Sequence, residues 1–218
     1  MITYTLTPDP KAHQWHITLK FQNPSDSSVV LKLPNWVPGS YLIRDFSRHI
    51  ITISAECDGQ PAALSQTAKN IWQTSPKSGH WVIRYTAYAF DLSVRGSFLD
   101  TNRGFFDGSC LFFSIEGRLK DTHSLNFNDL PKEWRIATSM PTTGSNTFQT
   151  AFYGYFFKPS DCIGRMCRAD TIRAAVGQIL PAGIICCGSA VRYRFDRRRF
   201  RAGRLRLVCC CGCRPPAA

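Results

Sequence analysis

The chain has 218 residues, 44% of them hydrophobic and 12% aromatic, a globular composition able to build one large domain or two small ones. A formal charge of +12 would suit an acidic partner, but residues 1–160 carry 15 Lys+Arg against 12 Asp+Glu while residues 161–218 carry 12 arginines, no lysine and 3 aspartates. The basic character therefore belongs to the tail, which excludes a uniformly charged nucleic-acid-binding fold.

Ile2 to Leu6 is the first segment with period-two patterning. The opening stretch ITYTLTPDPKAHQWH lacks a charged segment followed by an apolar run, so no secretory leader is expected and the default location is the cytoplasm. In HQWHITLKF, Trp15, Ile17, Leu19 and Phe21 share one face and Gln14, His16, Thr18 and Lys20 the other, which predicts a half-buried strand ended by Asn23-Pro24. His13 and His16 would then lie on opposite faces, as surface residues that do not converge on a metal. Further strands are predicted at Val29 to Leu33, Ile50 to Ala55, Ile71 to Thr74, Trp81 to Phe90, Leu111 to Ile115 and Leu125 to Phe127. Turn formers separate them: Asp58-Gly59, Ser78-Gly79, Gly104, Asp107-Gly108 and Thr143-Gly144. Short strands at intervals of about 8 to 12 residues, without a long helical period, predict an all-β chain, an antiparallel β-sandwich or open barrel.

Between the third and fourth strands lies LPNWVPGSYLIRDFSRH, Leu33 to His49. Pro34 and Pro38 cannot donate ladder hydrogen bonds and Gly39 permits positive φ, so the chain must leave the sheet here. Trp36 and Tyr41 are apolar plates with polar edges, suited to covering a sandwich end or a neighbouring domain, and Arg44, Asp45 and Arg48 would point outward. Two readings fit this corner: a packed loop with solvated charges, or a docking face for another domain.

Catalytic motifs are missing. The five histidines are followed by Gln14, Ile17, Ile50, Trp81 and Ser124, so no HExxH exists, and no G-x-S-x-G elbow, phosphate-binding loop or dinucleotide fingerprint occurs. The apolar run Ala174 to Cys187 falls short of the about 20 residues a membrane-spanning helix needs.

The corner, together with YTAYAFDLSVRGSFLD and RGFFDGSCLFF, resembles the amino-terminal domain of the glycyl aminopeptidase family, the PDZ-tailed zinc metallopeptidases of peptidase family M61. Three motifs fall in the family's order, and the resemblance runs from about Met1 to Thr150. It implies a β-sandwich over residues 1–155 that precedes a helical HExxH domain and a PDZ module. The implied parent activity is release of N-terminal Gly or Ala from peptides, with zinc as the cofactor of the full-length family. The zinc ligands and catalytic glutamate of that family have no matching positions in this sequence, so catalytic and metal residues are expected to be absent and the chain alone inactive. The implied partners are the missing catalytic domain and, only in the full-length enzyme, a peptide substrate; membrane and nucleic-acid partners are not expected. The alternative reading is a stand-alone β-sandwich binding module whose basic tail contacts nucleic acid or another protein. The candidate docking corner comprises Trp36, Pro38, Gly39, Tyr41, Arg44 and Asp45, with Phe105 and Phe106 from RGFFDGS.

Similarity to the family stops near Ala151 or Phe152. Eight of the ten cysteines follow, and residues 161–218 lack Lys, Glu, Asn, His and Trp, a pattern that a shifted reading frame in GC-rich DNA would produce. Residues 156–218 are accordingly expected to be a poorly ordered, basic, Cys-rich extension. The arginine run with interleaved aromatics, Arg192 to Leu207, could grip phosphate, and Cys162, Cys167, Cys210 and Cys213 could be drawn as a four-thiolate site. Cys209 and Cys211 would compete with the latter. Without a secretion signal a disulfide framework is not expected.

Overall fold

A computed structural model describes residues 1–154 except 38, 39, 94, 95 and 139, together with the backbone of residues 165–168. The first hairpin pairs β1 (Ile2–Asp9) with β2 (Gln14–Asn23), and alternate side chains enter the core as the period-two pattern predicts. Tyr4, Leu6, Trp15, Ile17, Leu19 and Phe21 are all buried. His13 departs from the expectation: it sits at φ 56° in the turn between the strands, not on β2. Its ring packs at a tilt of 46° against Phe90 with centroids 4.2 Å apart, so it is partly covered.

β3 (Val30–Lys32) leads through the corner to a 3-10 turn (Phe46–His49) and β4 (Ile50–Cys57). Asp58 and Gly59, at φ 52° and 76°, turn the chain into β5 (Gln60–Pro61), as the Asp-Gly pair predicts. β6 (Leu64–Ala68) and β7 (Ile71–Thr74) form a hairpin, and β8 (Gly79–Tyr88) pairs with both β2 and β4. There follow β9 (Ser97–Leu99), β10 (Arg103–Phe106), the one-turn helix α1 (Gly108–Leu111), β11 (Ser114–Ile115) and β12 (His123–Phe127). β13 (Trp134–Ala137), β14 (Thr142–Gly144), β15 (Thr147–Thr150) and β16 (Arg165–Arg168) complete the described elements.

The strands build three sheets, in the orders β14-β15-β12-β1-β2-β8-β4-β5, β11-β3-β7-β6 and β13-β16-β10-β9. The architecture is all-β and antiparallel-rich. One pair departs from the antiparallel expectation, because β1 and β12 run parallel from Ile2↔His123 to Leu6↔Phe127. More than a hundred residues separate them, so no tight turn dictates their direction. β16 lies beyond the expected sandwich boundary at residue 155, yet it pairs between β10 and β13.

Phe113 ties the eight-stranded sheet to the β11-β3-β7-β6 sheet. Its carbonyl accepts a 2.8 Å hydrogen bond from the Tyr4 hydroxyl, and its ring meets Tyr85 at 4.9 Å and Trp72 at 5.0 Å, both edge-on. The Tyr85 hydroxyl donates to the Leu111 carbonyl at 2.6 Å, so the phenols bury their apolar bodies while keeping a partner for each O–H.

Two expectations are corrected here. Leu111 to Ile115 is not one strand: the Asp107 carboxylate accepts from the Ser109 amide at 2.9 Å and caps α1, which ends at Leu111, and only Ser114–Ile115 joins a sheet. Gly104 is no turn but an interior position of β10. A Cβ there would meet Leu99 Cδ1 at 2.8 Å and Trp15 Cζ2 at 3.2 Å, so the glycine serves close packing.

Candidate docking face

The corner is held from within. The Arg44 amide donates to the Asn35 carbonyl at 2.6 Å, the Ser40 amide to Val37 at 3.1 Å, and the Trp36 indole N–H to the Ser40 carbonyl at 2.9 Å. The Ser40 hydroxyl donates to the Leu42 carbonyl at 2.9 Å. Val37 and Phe46, 4% and 5% exposed, anchor the two ends of the loop in the core. With both ends fixed in the core and the loop closed by the Ser40 and Arg44 amides, its remaining large side chains point outward. Trp36 is 50% exposed, Tyr41 103%, Leu42 66% and Ile43 74%. Four large apolar side chains on one short loop exceed the scattered exposure normal for a soluble surface.

Of the eight residues singled out in the sequence, Trp36, Tyr41, Arg44 and Asp45 belong to this loop. Asp45 is exposed and lies 3.4 Å from Lys69, while Arg44 is half-buried. Pro38 and Gly39 lie outside the described residues. Phe105 and Phe106 are on β10, where alternation separates them. Phe105 is half-buried, its ring 6.0 Å from Phe98. Phe106 is only 2% exposed, edge-on to Trp15 at 5.3 Å and to Phe112 at 5.8 Å. It is a core residue, and its place in a docking face is withdrawn because the strand turns it inward. Leu42 and Ile43, by contrast, were missed by the sequence reading; their signal was an apolar pair inside a segment that had already left the sheet.

Beside Trp36 opens a groove of about 870 Å³. Pro34, Trp36, Leu119, Phe152 and Tyr153 supply apolar walls, and Lys32 and Lys120 stand at its margin. The Tyr153 amide donates to the Leu119 carbonyl at 2.8 Å and its hydroxyl to Phe112 at 2.6 Å, which pins the stretch around Phe152 against the sandwich.

The titratable groups inside the fold serve packing. Burial pushes the Tyr4, Tyr85 and Tyr153 phenols and the Cys110 thiol well above their ordinary values. It pulls His123 down to about 4, against the opposing effect of an Nδ1–H bond to the Asp121 carbonyl at 2.7 Å. His16 bonds Thr86 Oγ1 at 3.1 Å, and His13 donates from Nδ1 to the Leu99 carbonyl. Among the described residues no three His, Cys, Asp or Glu side chains converge as metal ligands, so a resident zinc does not fit this set. Cys167 is described only as backbone, in β16; Cys162, Cys209, Cys210, Cys211, Cys213 and the Arg192 to Leu207 run lie outside the described residues. No helix among the described residues is long and apolar enough to cross a membrane.

Comparison with known proteins agrees with this geometry. A family profile described as Peptidase M61 N-terminal domain matches residues 3–157. A crystal structure of an aminopeptidase N family protein from Idiomarina loihiensis superposes with a TM-score of 0.71 at 34% sequence identity. That match covers 78% of this chain and 29% of the Idiomarina chain. A search of curated proteins gave no match. The chain therefore belongs to the M61 peptidase family, with the family's N-terminal domain at residues 3–157.

Proposed function

We propose that residues 1–155 act as the non-catalytic docking domain of a glycyl aminopeptidase-like zinc metallopeptidase, holding a downstream catalytic domain through the Trp36–Asp45 corner. The observation that carries this reading is the outward set Trp36, Tyr41, Leu42 and Ile43 on a loop closed by backbone bonds from Ser40 to Val37 and from Arg44 to Asn35. Aromatic side chains such as Trp36 and Tyr41 supply a large contact area at low side-chain entropy cost. The parent activity is release of N-terminal Gly or Ala from peptides. On this reading its zinc belongs to the downstream domain.

Residues beyond about 151 are read as the product of a shifted frame, because no lysine occurs after Lys158 while arginine and cysteine rise together. Sequencing the locus tests this: the alternative frame is expected to encode a zincin domain, and any other sequence there overturns the idea. The functional reading is tested by assaying glycyl- and alanyl-p-nitroanilide hydrolysis by the 218-residue chain with added zinc. No turnover is expected, and zinc-dependent turnover would refute the non-catalytic assignment.

A further inference from the structure

Among the described residues, Arg44 has no partner for its charge. The ion pairs there are Lys69–Asp45, Arg84–Glu56 and Arg118–Asp121, and none includes it. No aromatic ring lies under its guanidinium either; the cations that meet a ring face are Arg103, over Phe98, and Arg118, over Phe21. Its Nε is buried and donates to nothing, although the residue as a whole is only half-buried. A cationic donor stripped of water without an acceptor destabilises the free domain.

The neighbourhood decides what would complete it. The bond from the Arg44 amide to the Asn35 carbonyl sets Arg44 beside the chain at Trp36, and the exposed Tyr41, Leu42 and Ile43 immediately precede it. Asp45, the acidic neighbour, lies 3.4 Å from Lys69, and those two charges offset each other at the surface. The corner therefore combines exposed aromatic and aliphatic side chains with an uncompensated guanidinium. Binding hot spots have this mixture of residues, and a planar fork of donors among apolar groups favours a carboxylate, which accepts two N–H bonds at once.

We propose that Arg44 is the specificity-determining contact of the docking face: the following domain presents to it an Asp or Glu carboxylate, flanked by apolar side chains that cover Tyr41, Leu42 and Ile43. This rests on the docking reading and adds the chemistry that the partner must bring. Apolar contact supplies area, while the carboxylate–guanidinium pair selects the partner and its register, because a surface lacking the acid would leave the cation covered and unpaired.

The test uses the 218-residue chain and phenylacetate, a carboxylate on a small aromatic body, with the neutral phenylacetamide as control, both at matched ionic strength. Heteronuclear NMR follows the Trp36 indole N–H and the Arg44 Nε–H. Both are expected to shift saturably with the acid and not with the amide. In Arg44→Met, which keeps an apolar stem and removes the charge, the Trp36 response to the acid should weaken by at least about tenfold. The same variant should leave the urea midpoint unchanged or raise it, since it removes an unpaired buried donor. No shift with the acid, equal shifts with the amide, or an undiminished Trp36 response in Arg44→Met overturns the proposal. So does a lowered midpoint, which would make Arg44 a structural residue. None of these results strikes the docking reading itself, which stands on Tyr41, Leu42 and Ile43 and is read from the cooperativity of a two-domain protein.

Discussion

Arg44 and Asn35 close the corner: a 2.6 Å bond from the Arg44 amide to the Asn35 carbonyl draws the two ends of the loop together and leaves Tyr41, Leu42 and Ile43 outside. The fold holds this shape without needing those three side chains for its own core. Stability and docking should therefore separate.

Replacing Tyr41 by Ala removes an exposed side chain and should shift unfolding free energy by less than about 0.5 kcal/mol. Phe46→Ala, at the buried end of the same loop, should cost about 3 to 5 kcal/mol. Urea titrations followed by tryptophan fluorescence measure both, and comparable losses would mean that Tyr41 is structural.

Tyr4→Phe deletes the hydroxyl that donates to Phe113 across the sandwich and should cost about 1 to 2 kcal/mol, since the carbonyl it served is buried. Phe113→Ala should cost about 3 to 5 kcal/mol, because its ring fills the space between Trp72 and Tyr85. The same denaturation series reads both variants.

Gly104→Ala should destabilise by about 1 to 3 kcal/mol, although alanine favours strands no less than glycine does. The added methyl would press on Leu99 and the Trp15 ring, both fully buried. A neutral or stabilising result in thermal melts would show that this packing relaxes freely.

His123 gives the sandwich an acid dependence. Burial lowers its pKa to about 4 from the usual 6.5, so it stays neutral in the fold where the unfolded chain already takes up a proton. Its contribution is complete above about pH 6.5, falls as the pH drops towards about 4, and stays constant below that. The full span amounts to at most about 3 kcal/mol. Urea midpoints at pH 7.5, 5.5 and 4 measure the slope, which His123→Gln should flatten.

Much of the fold was legible because hydrophobic alternation is a local signal. β2 could be read from Trp15, Ile17, Leu19 and Phe21 alone, and the Asp58-Gly59 turn from its dipeptide. Short or edge segments carried no such signal. The two-residue β5, exposed on both residues, has no buried face to leave a pattern, and the alternation of Phe105 and Phe106 becomes visible only once β10 is known to be a strand. Gly104 misled because glycine marks both turns and close contacts, and only the Trp15 ring decides between them. The corner was recognisable from its prolines and aromatics; the groove was not, since it joins Lys32, Leu119 and Phe152 from distant parts of the chain.

Docking of a following domain by the Trp36–Asp45 corner can be tested in a two-domain protein. The most direct measurement is calorimetry of a chimera in which residues 1–154 replace the corresponding domain of the Idiomarina loihiensis aminopeptidase N family protein. One cooperative transition is expected, resolving into two when Tyr41, Leu42 and Ile43 are changed together to Ser. Two independent transitions in the unaltered chimera, or a single one that persists in the triple variant, would contradict it.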